Sequence, residues 1–250
     1  MTSIQLLNGD CLEKMQELID QNIKVDMVLT DLPYGKIKAD WDNIIPFEPM
    51  WNLIHQLTSD DANVLLFGSE PFSSQLRLSN PQEYRYDWVW IKEQGTGFQT
   101  VKYRPMIKHE MISVFNRRSS KYNPLMVKLD KPRIRKRKRG ELSKSESAPY
   151  ERISSERTDV YHYSYPNNIL YFKRDRGLHP TQKPVALLEY LIKTYTVDGD
   201  VVLDFTMGSG STGVACVNVN RCFIGIELEE KYYDIASERI NEANVQRRLI

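Results

Sequence analysis

The chain has 250 residues, a formal net charge of +1 and 41% hydrophobic residues, which fits one α/β domain with or without an inserted lobe. A chain of this length can bury roughly 70% of its unfolded surface, so it needs no disulfide or metal to hold it together. Three scattered cysteines and four histidines without ligand spacing exclude a disulfide framework and give no metal site. We expect a soluble, cytoplasmic protein, because no signal peptide is evident and no apolar run approaches the roughly 20 residues that cross a bilayer.

Short apolar runs recur along the chain and end in polar or glycine-containing turns, as the buried strands of a parallel sheet do. Stretches with apolar residues three or four positions apart, typical of amphipathic helices, separate some of these runs. This alternation predicts a doubly wound α/β fold, with a mostly parallel, seven-stranded, Rossmann-like sheet and helices on both faces. The predicted strands are Ile4–Leu7, Val25–Thr30, Asn63–Phe67, Trp88–Ile91, Met111–Phe115, Val201–Phe205 and Cys222–Ile226.

The second predicted strand is followed by a tetrapeptide, Asp31-Leu32-Pro33-Tyr34, that places an acid directly at the strand end. In an open parallel sheet, ligands bind in the crevice outside the carboxyl ends of the strands. Asp31 is therefore a candidate site residue.

The stretch from Ser119 to about Pro166 interrupts the strand and helix pattern. Positions 131–139 of this stretch hold seven basic residues, and the polar stretch Gly140–Ser147 follows. This composition cannot form a core element, and it predicts a mobile inserted lobe or loop. A basic run alone is often only a solvated loop, so its ligand stays open at this point. The basic residues are Lys131, Arg133, Arg135, Lys136, Arg137, Lys138 and Arg139.

A glycine-rich turn follows the predicted strand at 201–205. Gly208, Gly210 and Gly213 satisfy the pattern G-x-G-x-x-G, and Glu227 closes the next strand. Sites for NAD, FAD and S-adenosylmethionine all fit this pattern, in which glycines let the backbone approach the ligand and the acid binds ribose hydroxyls.

Two observations favour S-adenosylmethionine over a dinucleotide. Only 37 residues follow Gly213, too few for the second nucleotide-binding half of a dinucleotide enzyme. Asp204 ends the strand just before the turn, where its carboxylate would repel a pyrophosphate but can pair with the ammonium of a methionine moiety. Asp31 and Asp204 are expected to face one crevice, although 173 residues separate them.

Taken together and in this order, the motifs resemble the DNA amino-methyltransferases of the permuted β group, in which the catalytic tetrapeptide precedes the cofactor motif. No single segment would suffice for this assignment. The supporting segments are Asn8–Glu13, Phe67–Phe72, His109–Phe115, His179–Pro184 and Phe223–Glu227.

The resemblance implies a methyltransferase that moves a methyl group from S-adenosylmethionine to the exocyclic amine of a flipped base in double-stranded DNA. It assigns Asp31, Leu32, Pro33 and Tyr34 to catalysis. Tyr34 would stack on the base, while the Asp31 carboxylate and the Leu32 carbonyl would each accept a hydrogen bond from the amine. Leu32 replaces a proline of the family, but every residue type has the backbone carbonyl. Aspartate at position 31 favours adenine N6, because the cytosine-N4 enzymes more often carry serine there.

The resemblance also implies the cofactor contacts. Glu227 is assigned to the ribose, and Asp10 with Cys11 to the adenine edge. Asp204 and the glycines would line the methionine end, and Lys183 either contacts the methionine carboxylate or lies solvated at the surface. The aromatic residue of the family motif falls at Thr206, one position after Phe205, so the packing of the adenine is expected to differ. The predicted cofactor residues are Asp10, Cys11, Lys183, Asp204, Phe205, Gly208, Gly210, Thr212 and Glu227.

Finally, the resemblance implies a catalytic half at 1–118, an inserted target-recognition lobe at 119–170 and a cofactor-binding half at 171–250. Cations of the lobe would neutralise DNA phosphates. A homodimer and a separate cognate endonuclease stay open as further partners. The predicted DNA-binding residues are Arg133, Arg135, Lys136, Arg137, Lys138 and Arg139.

Three alternatives remain at this stage. The first keeps the reaction but changes the acceptor to cytosine N4, RNA or a protein amide. The second is a nicotinamide oxidoreductase, which rests on the glycine pattern alone. The third is a non-catalytic DNA-binding module, in which Leu32 would mark the decay of the catalytic motif.

Overall fold

The computed structural model describes residues 3–35, 43–118, 121–137, 157–175 and 182–248. The strands are β1 (Ile4–Asn8), β2 (Val25–Asp31), β3 (Thr58–Gly68), β4 (Tyr84–Thr96), β5 (Ile107–Phe115), β6 (Val127–Arg137), β7 (Arg157–Ser164), β8 (Ile169–Tyr171), β9 (Val201–Asp204) and β10 (Cys222–Glu227). The α-helices are α1 (Cys11–Asp20), α2 (Phe47–Leu57), α3 (Phe72–Ser79), α4 (Val185–Tyr195), α5 (Ser211–Asn218) and α6 (Glu230–Arg248), and a 3₁₀ turn spans Phe98–Thr100.

Within the described residues, eight strands form the main sheet, in the order β1-β10-β9-β2-β3-β5-β4-β8. The neighbours from β1 to β3 pair in parallel, as do β4 and β8. Strand β5 is antiparallel to both β3 and β4, so it alone runs against the other seven strands of this sheet. The carboxyl ends of the seven and the amino end of β5 therefore lie at one edge.

Helices cover both faces of the sheet because each buried strand is apolar on both sides. In β3, Leu65 and Phe67 pack into one cluster of buried side chains, with residues of α4, α5 and α6. Val64 and Leu66 point to the opposite face and pack with residues of α1, α2 and α3. Alternate side chains of an extended strand point to opposite faces, which makes one apolar run the centre of two cores.

The predicted α/β fold is confirmed, and each of the seven predicted strands is present. The count of seven is corrected to eight, because β8 adds an edge strand beside β4. With three residues, of which only Leu170 is buried, β8 is too short to show a period in the sequence. The other correction concerns Phe205, which follows the end of β9 rather than belonging to it.

Residues 124–166 form a compact unit separate from the rest of the chain, and this range lies within the predicted lobe at 119–170. Its described part is a hairpin in which β6 pairs with β7 in antiparallel fashion. The sequence predicted an inserted lobe or loop here but no strands, because charges at consecutive positions of β6 hide the alternation that a strand otherwise shows. Regular backbone pairing does not require an apolar face.

Within the described residues, none of the helices has the length and apolarity that crossing a membrane requires.

The close packing of α5 against α6 gives a stability prediction for Gly210. This residue has φ of +77°, and a Cβ added to it would lie 2.9 Å from the Cα of Ala236. We expect Gly210→Ala to lower the free energy of unfolding by about 2–4 kcal/mol, from backbone strain and overpacking together. Equilibrium unfolding in urea measures the change.

Gly199→Ala is the matched control, because Gly199 also has positive φ, at +86°, but a Cβ there would meet no atom within 4 Å. It should cost only the strain, about 1 kcal/mol. Equal losses in the two variants would refute the packing account of Gly210.

Candidate active site

One cavity of about 690 Å³ opens at the edge of the sheet where the parallel strands end. Four acids that follow or close β1, β2, β9 and β10 line this cavity: Asp10, Asp31, Asp204 and Glu227. They lie far apart in sequence, and parallel strand direction brings them to the same edge. The predicted meeting of Asp31 with Asp204 is what the structure shows.

Glu227 joins the glycine turn to the end of β10. Its Oε2 accepts a hydrogen bond from the backbone N–H of Gly208 at 2.8 Å, and its Oε1 accepts one from the N–H of Glu229 at 2.9 Å. Burial raises the pKa of Glu227 above its ordinary value. Each carboxylate oxygen keeps a lone pair beyond these bonds, so the side chain can still accept a pair of hydroxyl donors.

Asp10 caps the first turn of α1 and lines the same end of the cavity. Its Oδ1 accepts hydrogen bonds from the N–H groups of Leu12 and Glu13, at 2.9 and 3.2 Å. Burial, with the neighbouring Asp10 carboxylate, raises the pKa of the Cys11 thiol to about 12. The Cys11 thiol thus stays protonated near neutral pH and does not suit the role of a thiolate nucleophile.

Asp204 is a buried acid whose hydrogen bonds come from neutral donors. The hydroxyls of Thr30 and Thr212 each donate to it at 2.6 Å, and the N–H of Thr206 donates at 3.2 Å. Burial raises the pKa of Asp204 to about 6, the hydrogen bonds oppose this rise, and the charge of Asp31 adds to it. A buried carboxylate held by neutral donors favours a cationic ligand beside it.

All four residues of the tetrapeptide, which begins at the last residue of β2, line one end of the cavity, and we name this end the catalytic end after the role predicted for the tetrapeptide. The Tyr34 hydroxyl donates to Asp31 Oδ1 at 2.6 Å, and the Tyr34 ring packs against Phe72 with 5.0 Å between centroids. Leu32 is 4% exposed and belongs to the apolar cluster that contains Phe72. The leucine that departs from the family tetrapeptide therefore fills a core position at the cavity wall.

Thr206 connects the tetrapeptide to the glycine-rich turn. Its hydroxyl donates to the backbone carbonyl of Asp31 at 3.0 Å and lies 2.6 Å from the hydroxyl of Thr30. A phenylalanine at this position could not make these bonds. Phe205, one residue earlier, is 1% exposed and lines the cavity.

With this geometry in view, comparison with known proteins decides the family. Residues 25–238 match the model of the N6/N4 methyltransferases, described as DNA methylase. The chain belongs to the DNA methylase family. S-adenosylmethionine is the cofactor on which this family depends.

Curated relatives and solved structures agree with this membership. The type II methyltransferase M.HpaI of Haemophilus parainfluenzae is 27% identical over 95% of this chain and 74% of its own length. The DNA adenine methyltransferase YhdJ of Escherichia coli K12 is 26% identical over 96% of this chain and 83% of its own. The M1.HpyAVI complex with S-adenosylmethionine superposes with a TM-score of 0.65 at 26% identity, covering 94% of this chain and 99% of that one.

A more distant structure supports the fold alone. The cytosine-N4-specific PvuII methyltransferase also reaches a TM-score of 0.65, at 14% identity over 99% of this methylase and 93% of that chain.

The cofactor end of the methylase fits S-adenosylmethionine by its chemistry. Acceptors suited to hydroxyls, at Glu227, and to a cation, at Asp204, line one cavity. Gly208 also lines it, and a Cβ there would meet no atom within 4 Å, so the turn leaves open space beside its backbone. Gly210 is the exception among the predicted cofactor residues: the cavity lining does not include it, and its contact is with Ala236 of α6.

Lys183 contacts two carboxylates of the protein, which the sequence did not predict. It is 8% exposed, which rules out a solvated position, and its ammonium pairs with Asp31 and lies 3.6 Å from Glu110 Oε2. Burial alone would lower the pKa of Lys183, but the carboxylates of Asp31 and Glu110 outweigh it and raise the pKa. The ammonium thus belongs to the catalytic end of the cavity.

Sequence reasoning missed the partners of Lys183. Glu110, in β5, pairs through Oε1 with Lys92 of β4, and both line the cavity with Phe67 and Trp90. Burial alone would raise the pKa of Glu110, but the ammoniums of Lys183 and Lys92 hold it below its ordinary value. If the prediction had made β5 antiparallel to its neighbours, it would have placed Glu110 at this edge.

The predicted DNA-binding residues lie in the separate unit at 124–166. In the hairpin, the backbone of Arg133 lies opposite that of Tyr161, and the backbone of Arg135 lies opposite that of Asp159. Both arginines and Lys136 are exposed. Arg137 ends β6, while Lys138 and Arg139 lie outside the described residues.

Proposed function

We propose that this methylase transfers a methyl group to the N6 amine of an adenine that is flipped out of double-stranded DNA into the cavity. The observation that carries the proposal is that Asp31, Asp204 and Glu227 line the same cavity. The aspartate at position 31 and the adenine-methylating relative YhdJ support adenine over cytosine. Family membership supports DNA over RNA or protein and argues against the nicotinamide alternative.

For the cofactor, we assign Glu227 to the ribose hydroxyls and Asp10 with Cys11 to the adenine edge. Asp204 would hold the α-ammonium of the methionine moiety, and Thr212 keeps the carboxylate in place by its hydrogen bond. S-adenosylmethionine supplies a methyl group that its sulfonium already activates, so the protein has mainly to position the acceptor.

For the base, we assign two acceptors to the target amine, the Asp31 carboxylate and the Leu32 carbonyl, with Tyr34 stacked on the ring. Two hydrogen bonds direct the nitrogen lone pair away from the acceptors. A carboxylate beside the amine also stabilises the positive charge that develops on nitrogen. The bond from Thr206 to the Asp31 carbonyl fixes the backbone on which this geometry depends.

For the DNA, we assign phosphate contacts to the exposed cations of the hairpin. We also keep the predicted division of the chain into a catalytic half at 1–118, a target-recognition lobe at 119–170 and a cofactor-binding half at 171–250. The type II name of M.HpaI supports a separate endonuclease as a functional partner. A homodimer and a cytoplasmic location stay predictions of the sequence.

Removing the Asp31 carboxylate should abolish most of the transfer. We expect Asp31→Ala to lower the rate constant for methyl transfer by about 10²–10³-fold, because an electrostatic contact to the reacting amine is lost. Labelled S-adenosylmethionine, unmethylated duplex DNA and nucleoside digestion measure both the rate and the product.

Calorimetric affinity for S-adenosylmethionine is the control, and it should change little in Asp31→Ala. Turnover near the wild-type rate would reject the role of Asp31. Label in N4-methylcytosine would reject adenine as the target.

Cofactor affinity should depend on pH through Asp204. With a pKa of about 6 in the free protein, Asp204 is partly protonated below pH 6, whereas pairing with an ammonium requires the ionised form. Binding therefore releases a proton at low pH, and the dissociation constant should rise about fivefold between pH 6 and pH 5 while changing less than about 1.5-fold from pH 6.5 to 7.5.

Calorimetry across this range measures the effect, and Asp204→Asn should bind more weakly with a flat profile. A wild-type profile as flat as that of Asp204→Asn would contradict the assignment.

The hairpin cations should contribute to DNA affinity through phosphates. Arg133→Ala with Arg135→Ala should weaken binding and reduce the slope of log affinity against log salt by about 2, because each phosphate contact contributes about 0.9. Fluorescence anisotropy over a salt series measures it. Lys193→Ala, an exposed lysine of α4, is the control. An unchanged slope in the double variant would refute the contacts.

A further inference from the structure

Four ionisable side chains form a charge cluster at the catalytic end of the cavity: Asp31, Lys92, Glu110 and Lys183. Lys183 Nζ pairs with Asp31 Oδ2 and lies 3.6 Å from Glu110 Oε2, while Lys92 pairs with Glu110 Oε1. The two lysine side chains are 9% exposed and that of Glu110 is 14% exposed. Two positive and two negative charges cancel, which is the condition under which such groups tolerate burial.

In this arrangement both oxygens of Asp31 are engaged. Oδ1 accepts from the Tyr34 hydroxyl, and Oδ2 holds the Lys183 ammonium. Lone pairs alone would still admit the target amine, since each carboxylate oxygen can accept twice. The charge is the obstacle: an ammonium in contact with Asp31 neutralises the carboxylate, and it repels the positive charge that develops on the amine during transfer.

Lys183 cannot simply leave Asp31, because a buried ammonium without a counter-ion is strongly unfavourable. Glu110 Oε2 offers the alternative. It is buried and has no hydrogen-bond partner within the described part of the chain, although it lies beside the ammonium. Buried acceptors are rarely left unpaired, so this one calls for an explanation. A movement of less than about 1 Å would bring Lys183 Nζ to the roughly 2.8 Å of an ammonium–carboxylate bond.

We propose that Glu110 is a positioning residue that takes the Lys183 ammonium from Asp31 when the target amine arrives. Asp31 is then free to hold the amine and to stabilise its developing charge. The inference rests on the proposed function, since it concerns the same acceptor.

The surroundings of Glu110 suit this exchange. Lys92 occupies Oε1 and keeps Oε2 directed to Lys183, and the two ammoniums keep the pKa of Glu110 low. The ring of Phe67, with its centroid 5.0 Å from Lys183 Nζ, gives the ammonium a second favourable contact.

Single-turnover methyl transfer, at saturating S-adenosylmethionine and unmethylated duplex DNA, tests the exchange with Glu110→Gln, Lys183→Met and the double variant. We expect Glu110→Gln to slow transfer at least about tenfold, because the ammonium then stays on Asp31, while cofactor affinity changes less than about threefold. Adding Lys183→Met should restore most of the lost rate, since no ammonium then remains on Asp31. The double variant keeps the cluster neutral, which favours its folding.

Glu110→Asp is the conservative control and should retain most of the activity, because it keeps the charge. A purely structural role for Glu110 predicts that the double variant is no faster than Glu110→Gln. That result, or wild-type speed in Glu110→Gln, would overturn the proposal.

A crystal structure of Asp31→Ala tests the exchange without activity. Lys183 Nζ should then lie within hydrogen-bond distance of Glu110 Oε2, and an ammonium directed elsewhere would overturn the inference. If the wild-type protein transferred no methyl group to DNA, that would count against the proposed function, while the crystal structure would still decide the role of Glu110.

Discussion

The buried carboxylate of Asp204 joins the two halves of the active site. It accepts hydrogen bonds from Thr30 at the end of β2 and from Thr212 in the first turn of α5, which are far apart in sequence. Thr206 completes the connection, because it donates to Asp204 through its N–H and to the Asp31 carbonyl through its hydroxyl. A shift of the glycine-rich turn would therefore also shift the backbone at Asp31. A buried carboxylate without hydrogen bonds would destabilise the fold, so losing any of these donors should be unfavourable.

The two ends of the cavity treat charge differently. At the cofactor end, Asp204 and Glu227 are stabilised by neutral hydroxyls and backbone N–H groups, so their charges remain available to a ligand. At the catalytic end, lysines compensate the carboxylates within the protein. A ligand that brings its own positive charge suits the first arrangement, and a neutral amine that becomes positive only during the reaction suits an acceptor released at that moment.

Much of this site is readable in the chain because it depends on local patterns. The tetrapeptide at Asp31 and the glycine turn before α5 each follow an apolar run, and strand-end position alone places them at one edge of a parallel sheet. Two residues show where inference from local sequence patterns fails. Gly210 satisfies the glycine pattern, yet it is required by the approach of Ala236 in α6, which no spacing reveals. Phe205 continues an apolar run, yet β9 ends before it.

The sequence by itself determined the fold class, the seven principal strands, the family and four of the five acids that line the cavity, because strand ends, glycine turns and apolar periods are properties of short segments. Tertiary structure alone decided the direction of β5 and the partners of Lys183. An apolar run such as 111–115 reads the same in either direction, so the sequence could not tell that Glu110, just before it, lies at the catalytic edge. Pairing with β3 and β4 sets that direction, and it places Glu110 beside a lysine 73 residues away.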